Sequence, residues 1–343
     1  MKTRLFAGSL AILAAVSALA ATTADASSKG DQLIGAGSSF VSPLVSQWQK
    51  DYPPKTGVNI VYSPSGSGAG IAAISGRTVD FGASDAPLTP DQFAGCKGCF
   101  QIPWALGGVA VMVNVKSNAR RPLKISGPLL ASIFLGSIKS WDAPAIKALN
   151  PGIDLPSTPI VPIYRSDGSG TSYAFTDYLA SVSPAWKSKI GVSTQPAFPV
   201  GTGARGSSGV TGLVAKTAGG IAYADIAFAV ANHVPVMAVK NAGGKYLTPG
   251  LVSIKAAAES LKKIPANNEV HIVNPSKAFP KAYPIATYTY VIIPQQTSKA
   301  QQLKKFVFYA LTQGQQFGVK LRFVPIPKAV LVASEKTLAK VHT

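Results

Sequence analysis

Acidic residues are scarce in this chain of 343 residues, which has 14 Asp and Glu against 33 Lys and Arg. The formal net charge of +19 therefore comes mainly from missing acids. A nucleic-acid-binding protein usually concentrates its basic residues on one helix or arm, and no such block occurs here, so we expect no nucleic-acid partner. The composition favours adaptation to an acidic exterior, where surface carboxylates would titrate, over a general attraction for anions.

Histidine is also rare, and this limits the chemistry that the chain can perform. The three histidines, His233, His271 and His342, are remote in sequence from the serine-rich motifs described below. There is no G-x-S-x-G nucleophile motif and no His/Asp/Glu cluster with the spacing of metal ligands. The sequence therefore argues against a serine hydrolase or a metalloenzyme, and we expect no cofactor and no metal site.

Cysteine occurs only twice, as Cys96 and Cys99 in a C-x-x-C motif. There is no second pair to complete a zinc site, and the motif does not open a helix as a redox pair would. In an oxidising compartment this spacing favours a small structural disulfide that closes a surface loop.

Long apolar runs are missing after the first 26 residues, and the first 26 have the pattern of an export signal. Lys2 and Arg4 precede an apolar run over 5–21, and Ala24-Asp25-Ala26 forms a small-residue cleavage site. No cysteine lies near that site, so no lipid anchor is expected. We predict an exported, soluble protein cleaved after Ala26.

The most informative stretch is residues 165–173, which reads R-S-D-G-S-G-T-S-Y between a predicted strand over 160–164 and a predicted helix. The free N–H groups at a helix start, together with the helix dipole, favour an anion. Ser169 and Thr171 add hydroxyl donors, and Arg165 adds a charge whose planar fork suits a tetrahedral oxyanion. An ordinary capped helix after a turn is the alternative for this stretch alone.

Three earlier stretches repeat a turn at the end of a strand. Residues 32–40 run from a strand into Ser38-Ser39-Phe40, and residues 58–71 run from a strand into a glycine-rich turn. Residues 79–88 end on Asp85 in a small, apolar setting, where the plain interpretation is an Asp in the turn before Pro87. Alternating strands and helices predict an α/β fold with mostly parallel sheets, and ligands in such sheets lie beyond the carboxyl ends of strands. We therefore expect these stretches to converge on one small anion.

A fifth glycine-rich run, residues 201–206, matches G-x-G-x-x-G and is followed by Asp225. This is the outline of a dinucleotide fingerprint. Pro199 disturbs the strand that should precede it, and export argues against NAD. We interpret the run as a glycine-rich loop before a helix over 210–218.

Taken together, these motifs resemble the phosphate-binding proteins of the bacterial high-affinity phosphate ABC importer. The resemblance covers nearly all of the mature chain and weakens after about residue 240. It rests on the runs at 35–40, 66–71, 80–88, 133–142, 145–152 and 167–172.

The resemblance implies a type II periplasmic binding protein with two α/β lobes and a ligand cleft at the hinge. Lobe I would comprise residues 27–113 plus 285–343, and lobe II residues 114–284. It also implies a periplasmic monomer that captures inorganic phosphate and delivers it to the membrane permease of a phosphate ABC transporter.

The resemblance further implies which residues bind phosphate. Asp85 would accept the ligand proton, Arg165 would supply the positive charge, and hydroxyl and backbone N–H groups would supply the remaining donors. Ser39 stands where the family usually has Thr, which preserves the hydroxyl, and the loop of Cys96 and Cys99 lies outside the family pattern. The implied ligand residues are Ser39, Phe40, Ser67, Asp85, Arg165, Ser169, Gly170 and Thr171.

Two other functions are compatible with such a site. An exported phosphate-ester hydrolase would turn over its substrate, although the sequence lacks the usual catalytic groups. A secreted phosphate scavenger or surface adhesin would bind phosphate without an importer partner.

Overall fold

The computed structural model describes residues 31–343, and the predicted export signal over 1–26 lies outside them. Its strands are β1 Gln32–Gly37, β2 Asn59–Ser63, β3 Phe81–Ser84, β4 Cys99–Asn114, β5 Lys124–Ile125, β6 Val161–Arg165, β7 Thr202–Ala204, β8 Gly220–Asp225, β9 Ala238–Lys240, β10 Tyr246–Leu247 and β11 Ala286–Pro294. Its α-helices are α1 Ser42–Asp51, α2 Pro53–Thr56, α3 Ser67–Ser75, α4 Pro90–Gly95, α5 Gly127–Phe134, α6 Pro144–Leu149, α7 Gly170–Val182, α8 Pro184–Lys189, α9 Gly206–Lys216, α10 Ile226–Ala231, α11 Leu251–Ala258, α12 Ala300–Leu311 and α13 Lys328–Ala339.

Eight strands form one sheet in the order β2-β1-β3-β11-β4-β8-β6-β7. The pairs within β2-β1-β3 and within β8-β6-β7 are parallel. The central strands β11 and β4 pair antiparallel with each other and with their outer neighbours. Two parallel halves thus meet at an antiparallel centre, which agrees with the predicted two-lobed α/β fold. Strands β10, β9 and β5 form a second, smaller sheet.

Strand β4 runs through both halves of the sheet without interruption. It pairs with β11 as far as Gly108 and with β8 from Val109 onward. The sequence predicts two strands here, over 100–104 and 107–115, and the structure shows that this division is wrong. Gly107 and Gly108 do not break the strand but allow close packing. A Cβ atom at Gly107 would lie 2.8 Å from the ring of Phe40, and one at Gly108 would lie 2.9 Å from the Pro249 side chain.

Each half of the sheet is anchored by a cluster of buried aromatic rings. In the first half the rings of Trp48 and Trp104 lie 5.0 Å apart, with Phe306 packed against both. In the second half Phe175 stacks on Tyr223 at 4.2 Å. Truncating one such side chain to Ala would cost about 3–5 kcal/mol. These clusters keep rigid the strands whose ends carry the residues of the site.

The remaining differences from the predicted elements are small. The structure adds short elements of two to six residues that the sequence does not indicate. They are the strands β5, β7, β9 and β10 and the helices α2, α4 and α10. The helix predicted over 210–218 begins earlier, at Gly206. Across residues 31–343, none of the helices is both long and apolar enough to cross a membrane.

Candidate functional site

The turns at the carboxyl ends of five strands meet at one place in the sheet. They follow β1, β2 and β3 in the first half and β6 and β7 in the second. The sequence predicts the convergence of the turns after β1, β2, β3 and β6, and the structure brings all four together. The turn after β7 also reaches this place, which the sequence did not predict.

The turn after β1 places two serine hydroxyl groups at the site. Ser38 donates a hydrogen bond to Oδ1 of Asp85, and its Oγ accepts one from the backbone N–H of Phe40 at 3.1 Å. The next hydroxyl, that of Ser39, lies 2.9 Å from the hydroxyl of Ser207. Gly37 has φ +138° and packs so closely on Ala83 that a Cβ atom would lie 2.1 Å from its carbonyl oxygen. Only glycine permits that approach, and it sets the direction in which the two serines point.

Ser67, the first residue of α3, joins the two halves of the sheet. Its buried Oγ accepts hydrogen bonds from the backbone N–H of Gly170 at 3.0 Å and from that of Asp85 at 3.3 Å. A Cβ atom at Gly170 would lie 2.5 Å from the Asp85 nitrogen. Glycine at position 170 is therefore required for the start of α7 to reach the turn after β3.

Asp85 lies at the centre of the site and is only 2% exposed. Its Oδ1 accepts from Ser38, and its Oδ2 accepts from the hydroxyl of Thr171 at 3.1 Å. Burial raises the pKa of Asp85, and the hydrogen bond from Ser38, the charge of Arg165 and the hydrogen bond from Thr171 offset part of that rise. The result is a carboxyl group that favours sharing a proton more than a solvent-exposed Asp does.

Arg165, the last residue of β6, is held by a neighbour two residues along the chain. Its Nε donates to Oδ1 of Asp167 at 2.7 Å, and its Nη2 donates to Oδ2 of the same carboxylate. Its Nη1 reaches towards Ser207 Oγ at 3.5 Å. Burial raises the pKa of Asp167, but the hydrogen bond and the charge of Arg165 outweigh burial and leave that pKa below its ordinary value. The pair therefore orients the guanidinium group while cancelling much of its charge.

Hydrogen bonds from buried side chains position the start of α7. Ser169 caps this helix, because its Oγ accepts from the backbone N–H of Ser172 at 3.1 Å. The hydroxyl of Ser172 lies 2.8 Å from that of Tyr223, which also accepts from the backbone N–H of Arg165 at 3.3 Å. Burial raises the pKa of Tyr223 to about 12, so this phenol remains protonated. One buried tyrosine thus fixes both Arg165 and the helix start.

Three residues at the site were not assigned from the sequence: Ser38, Asp167 and Ser207. The first two lie inside runs that carry the family resemblance. Ser207 lies in the first turn of α9, directly after the glycine-rich run over 201–206. That run forms the short strand β7 and then a helix start. The available signal in the sequence was a glycine-rich loop before a helix, without a predicted strand.

A second buried acid lies close to the cleft. Asp225 ends β8 and caps α10, with Oδ1 accepting from the backbone N–H of Ala227 at 2.8 Å. Its Oδ2 is buried and has no hydrogen-bond partner among the described residues. Burial is the main reason that the pKa of Asp225 lies well above its usual value, and the charge of Asp85 raises it further.

The cysteine loop lies on the far side of α3 from the site. The sulfur atoms of Cys96 and Cys99 are bonded to each other and pack with Ile71 and Ile74 of that helix. The guanidinium group of Arg77 donates to the carbonyl oxygen of Cys96 at 2.8 Å. The same cluster includes Leu88 from the turn after β3, but the loop is not among the hydrogen-bonding partners described above for the site.

This arrangement, a mostly parallel sheet in two halves with hydroxyl and N–H donors gathered between them, defines a periplasmic-type binding protein. The chain matches the family model of the PBP superfamily domain over residues 21–313 and belongs to that superfamily. Curated relatives called phosphate-binding protein PstS include one from Xylella fastidiosa, 39% identical over 87% of this chain and 82% of the relative. Another, from Pasteurella multocida, is 33% identical over 87% of each chain.

Solved structures support the same fold. A phosphate-binding protein from Stenotrophomonas maltophilia superposes with a TM-score of 0.69 at 22% sequence identity, over 89% of this chain and 93% of that one. At this identity the likeness establishes the fold, and the chemistry of the site rests on the residues described above.

Proposed function

We propose that this protein captures inorganic phosphate between two lobes and delivers it to the membrane permease of a phosphate ABC transporter. It acts as a periplasmic monomer after cleavage behind Ala26. It is a binding protein and not an enzyme. The observation that carries the proposal is the buried carboxyl group of Asp85, surrounded by hydroxyl and backbone N–H donors from both halves of the sheet.

The lobes that we propose are residues 27–113 plus 285–343 and residues 114–284. The start of β11 supports the limit at 284–285, whereas the change of partner in β4 lies about five residues before the limit at 113–114. β4 exchanges β11 for β8 between Gly108 and Val109, and β11 begins at Ala286. Closing these lobes would sequester the ligand and create the surface that the permease reads.

Each proposed contact uses a hydroxyl, N–H or guanidinium group of the converging turns. The hydroxyl groups of Ser67 and Ser169 accept hydrogen bonds and keep their own protons for a ligand. In the pair of Ser39 and Ser207 one hydroxyl donates to the other, so one proton stays available. The proton of Thr171 is donated to Asp85 and would have to turn to phosphate. The N–H of Gly170, now bonded to Ser67, and the N–H groups of Ser39 and Phe40 would turn to phosphate oxygens. Arg165, oriented by Asp167, would supply a charge-assisted hydrogen bond.

Selectivity follows from Asp85. Repulsion between like charges makes a carboxylate unsuitable beside an anion, unless that anion carries a proton to donate. Phosphate near neutral pH is HPO₄²⁻ or H₂PO₄⁻, so it can donate an O–H to Asp85. Sulfate is fully ionised and would leave the carboxylate facing a bare oxygen. Sites built around a required hydrogen bond reject ligands that lack it by about 10⁴–10⁵.

Calorimetric titration of the mature protein with phosphate, sulfate and arsenate tests the proposal. We expect saturable binding of one phosphate per chain and strong discrimination against sulfate. Absence of phosphate binding would overturn the proposal. Incubation with a phosphate ester separates the alternatives, because sustained turnover would identify a hydrolase and its absence would support a binding protein.

A further inference from the structure

A wide groove lies on the side of the molecule where α11 packs over the central strand. Its volume is about 1020 Å³, and its walls come from the small sheet, α11 and the segment around Lys281. Ile254 of α11 packs against Gly108, where β4 passes from one half of the sheet to the other. Arg322, from the C-terminal part of the chain, also lines the groove. The groove is therefore lined by residues of both proposed lobes.

The groove is strongly basic. Five of its fifteen lining residues are Lys or Arg, namely Arg121, Lys124, Lys245, Lys281 and Arg322. In the whole chain 33 of 343 residues are Lys or Arg, so the groove is enriched about threefold. No lining residue is acidic. Because acids are rare everywhere in this chain, the concentration of basic residues is the informative observation.

Strand register brings a further lysine, Lys240, next to Lys124, although Lys240 is not itself among the lining residues of the groove. Lys124 pairs with Ala238, and Lys240, two residues along β9, pairs with Tyr246, so all four side chains lie on one face of the small sheet. The ammonium groups of Lys124 and Lys240 lie 5.4 Å and 5.9 Å from the centre of the Tyr246 ring. Neither lysine has a carboxylate within 4.0 Å in the part of the chain described here. Two like charges are thus held near one ring without a counter-ion.

The floor of the groove is apolar. Leu247, Leu251 and Pro280 line it together with Val252, whose side chain is 76% exposed. Val252 is the most exposed of the large hydrophobic residues that the structure describes. Exposed apolar surface rimmed by polar residues is typical of a protein interaction site.

We propose that this groove binds an acidic, amphipathic helical segment of a partner protein. Apolar side chains of the segment would cover Leu251 and Val252, and its carboxylates would pair with the lysines and arginines of the rim. A helix about 10 Å across and two turns long fills about this volume. A polyphosphate chain or an anionic membrane surface would satisfy the rim but leave the apolar floor exposed. A second copy of this chain is a poor match, because it carries only 14 acidic residues in all.

The test uses a fluorescent twelve-residue peptide of Glu and Leu, arranged so that the Leu residues share one face of a helix. Fluorescence anisotropy would measure its binding to the intact mature protein. A peptide of the same composition with scrambled order keeps the charge and removes the apolar face. Long-chain polyphosphate and phosphatidylglycerol vesicles serve as probes for the two other kinds of occupant.

Two variants probe the rim and the floor separately. Lys124→Gln with Lys281→Gln removes two rim charges, and Val252→Ser removes the exposed apolar anchor. Their matched controls lie on another face: Lys187→Gln with Lys189→Gln on α8, and Val192→Ser, which replaces a valine that is 42% exposed. Thermal unfolding of each variant verifies that it is folded.

We expect both groove variants to bind the amphipathic peptide about tenfold more weakly, with both controls unchanged. We also expect the scrambled peptide to bind more weakly than the ordered one. Equal loss in the groove and control lysine variants would overturn the proposal, because it would show attraction to net charge alone. Insensitivity to Val252→Ser would also overturn it, as would polyphosphate or vesicles binding more tightly than the peptide. Phosphate titration of the same variants is independent of this result, so failure of the groove and failure of the phosphate site are distinguishable.

Discussion

The hydroxyl oxygen of Ser39 lies 2.9 Å from that of Ser207, 168 residues later in the chain. The backbone N–H of Ser207 also donates to Ser39 Oγ at 3.0 Å. The turn after β1 and the start of α9 therefore meet across the cleft. This contact places Ser207 among the groups that a bound anion would encounter.

Ser207→Ala should weaken phosphate binding, because it removes a hydroxyl that faces both Ser39 and Arg165. A hydrogen bond of this kind contributes about 0.5–1.5 kcal/mol, which corresponds to roughly a two- to twelve-fold loss of affinity. Calorimetry on Ser207→Ala beside Ser208→Ala, its exposed neighbour, provides the measurement and the control. Equal affinities for the two variants would remove Ser207 from the site.

Arg165→Ala should weaken phosphate binding more than Ser207→Ala does. The guanidinium group is buried, and truncating a buried charge partner typically costs about 2–5 kcal/mol. Part of that cost arises from Asp167, which would lose its partner at 2.7 Å. Phosphate titration of Arg165→Ala, with the exposed Arg205→Ala as control, measures the effect. Wild-type affinity in Arg165→Ala would show that the charge does not reach the ligand.

Asp85→Asn should reduce the preference for phosphate over sulfate. The amide keeps the shape of the side chain, removes the charge, and can donate to a sulfate oxygen. In the wild type, sulfate binding should strengthen as the pH falls towards the raised pKa of Asp85, because the protonated carboxyl group can donate. Competition titrations at several pH values measure both effects. Undiminished discrimination in Asp85→Asn would show that another group sets the selectivity.

Asp225→Asn should make stability less dependent on pH. The pKa of Asp225 is raised in the folded state, mainly by burial, so the unfolded state releases this proton at lower pH than the folded state does. Its contribution is therefore most favourable below the unfolded pKa and is lost as the pH rises through the folded pKa. The free energy of unfolding, measured with urea, should decrease less from pH 5 to pH 8 in the variant than in the wild type. Asparagine can retain the hydrogen bond to Ala227. Identical pH dependence of the two proteins would contradict the assignment.

The protein recovered from its natural compartment should contain a disulfide between Cys96 and Cys99. Intact-mass measurement after alkylation without reduction should find no labelled thiol. Two labelled thiols would contradict the prediction. Reduction should leave phosphate affinity nearly unchanged, because the hydrogen bonds that build the site involve no residue of this loop.

Much of this site could be predicted from the sequence, because its residues lie in short turns with recognisable local chemistry. The runs around Ser39, Ser67, Asp85 and Arg165 each combine a strand end with glycine and hydroxyl residues, and the structure brings them together. Their roles as phosphate ligands stay a prediction. The position of Ser207 depends on how α9 packs across the cleft, which local pattern does not encode.

The continuity of β4 also could not be predicted from the sequence. The sequence predicts two strands with a gap at 105–106, and the structure has one continuous strand. The role of Gly107 and Gly108 was not predicted either, because it is the close approach of Phe40 and Pro249, residues distant in sequence. In the same way, the basic groove depends on pairing between β5, β9 and β10, which no periodic pattern revealed.

The position of β11 has a consequence for the order in which the chain can fold. This strand, Ala286–Pro294, lies between β3 and β4, although both are complete by residue 114. Until Ala286–Pro294 is available for pairing, β3 and β4 lack the neighbour that joins them, and their facing edges have no partner. Pairing over such separations is slow, because loop closure comes before the contacts that reward it. A chain exported from its N-terminus therefore stays without its central sheet until export is nearly finished.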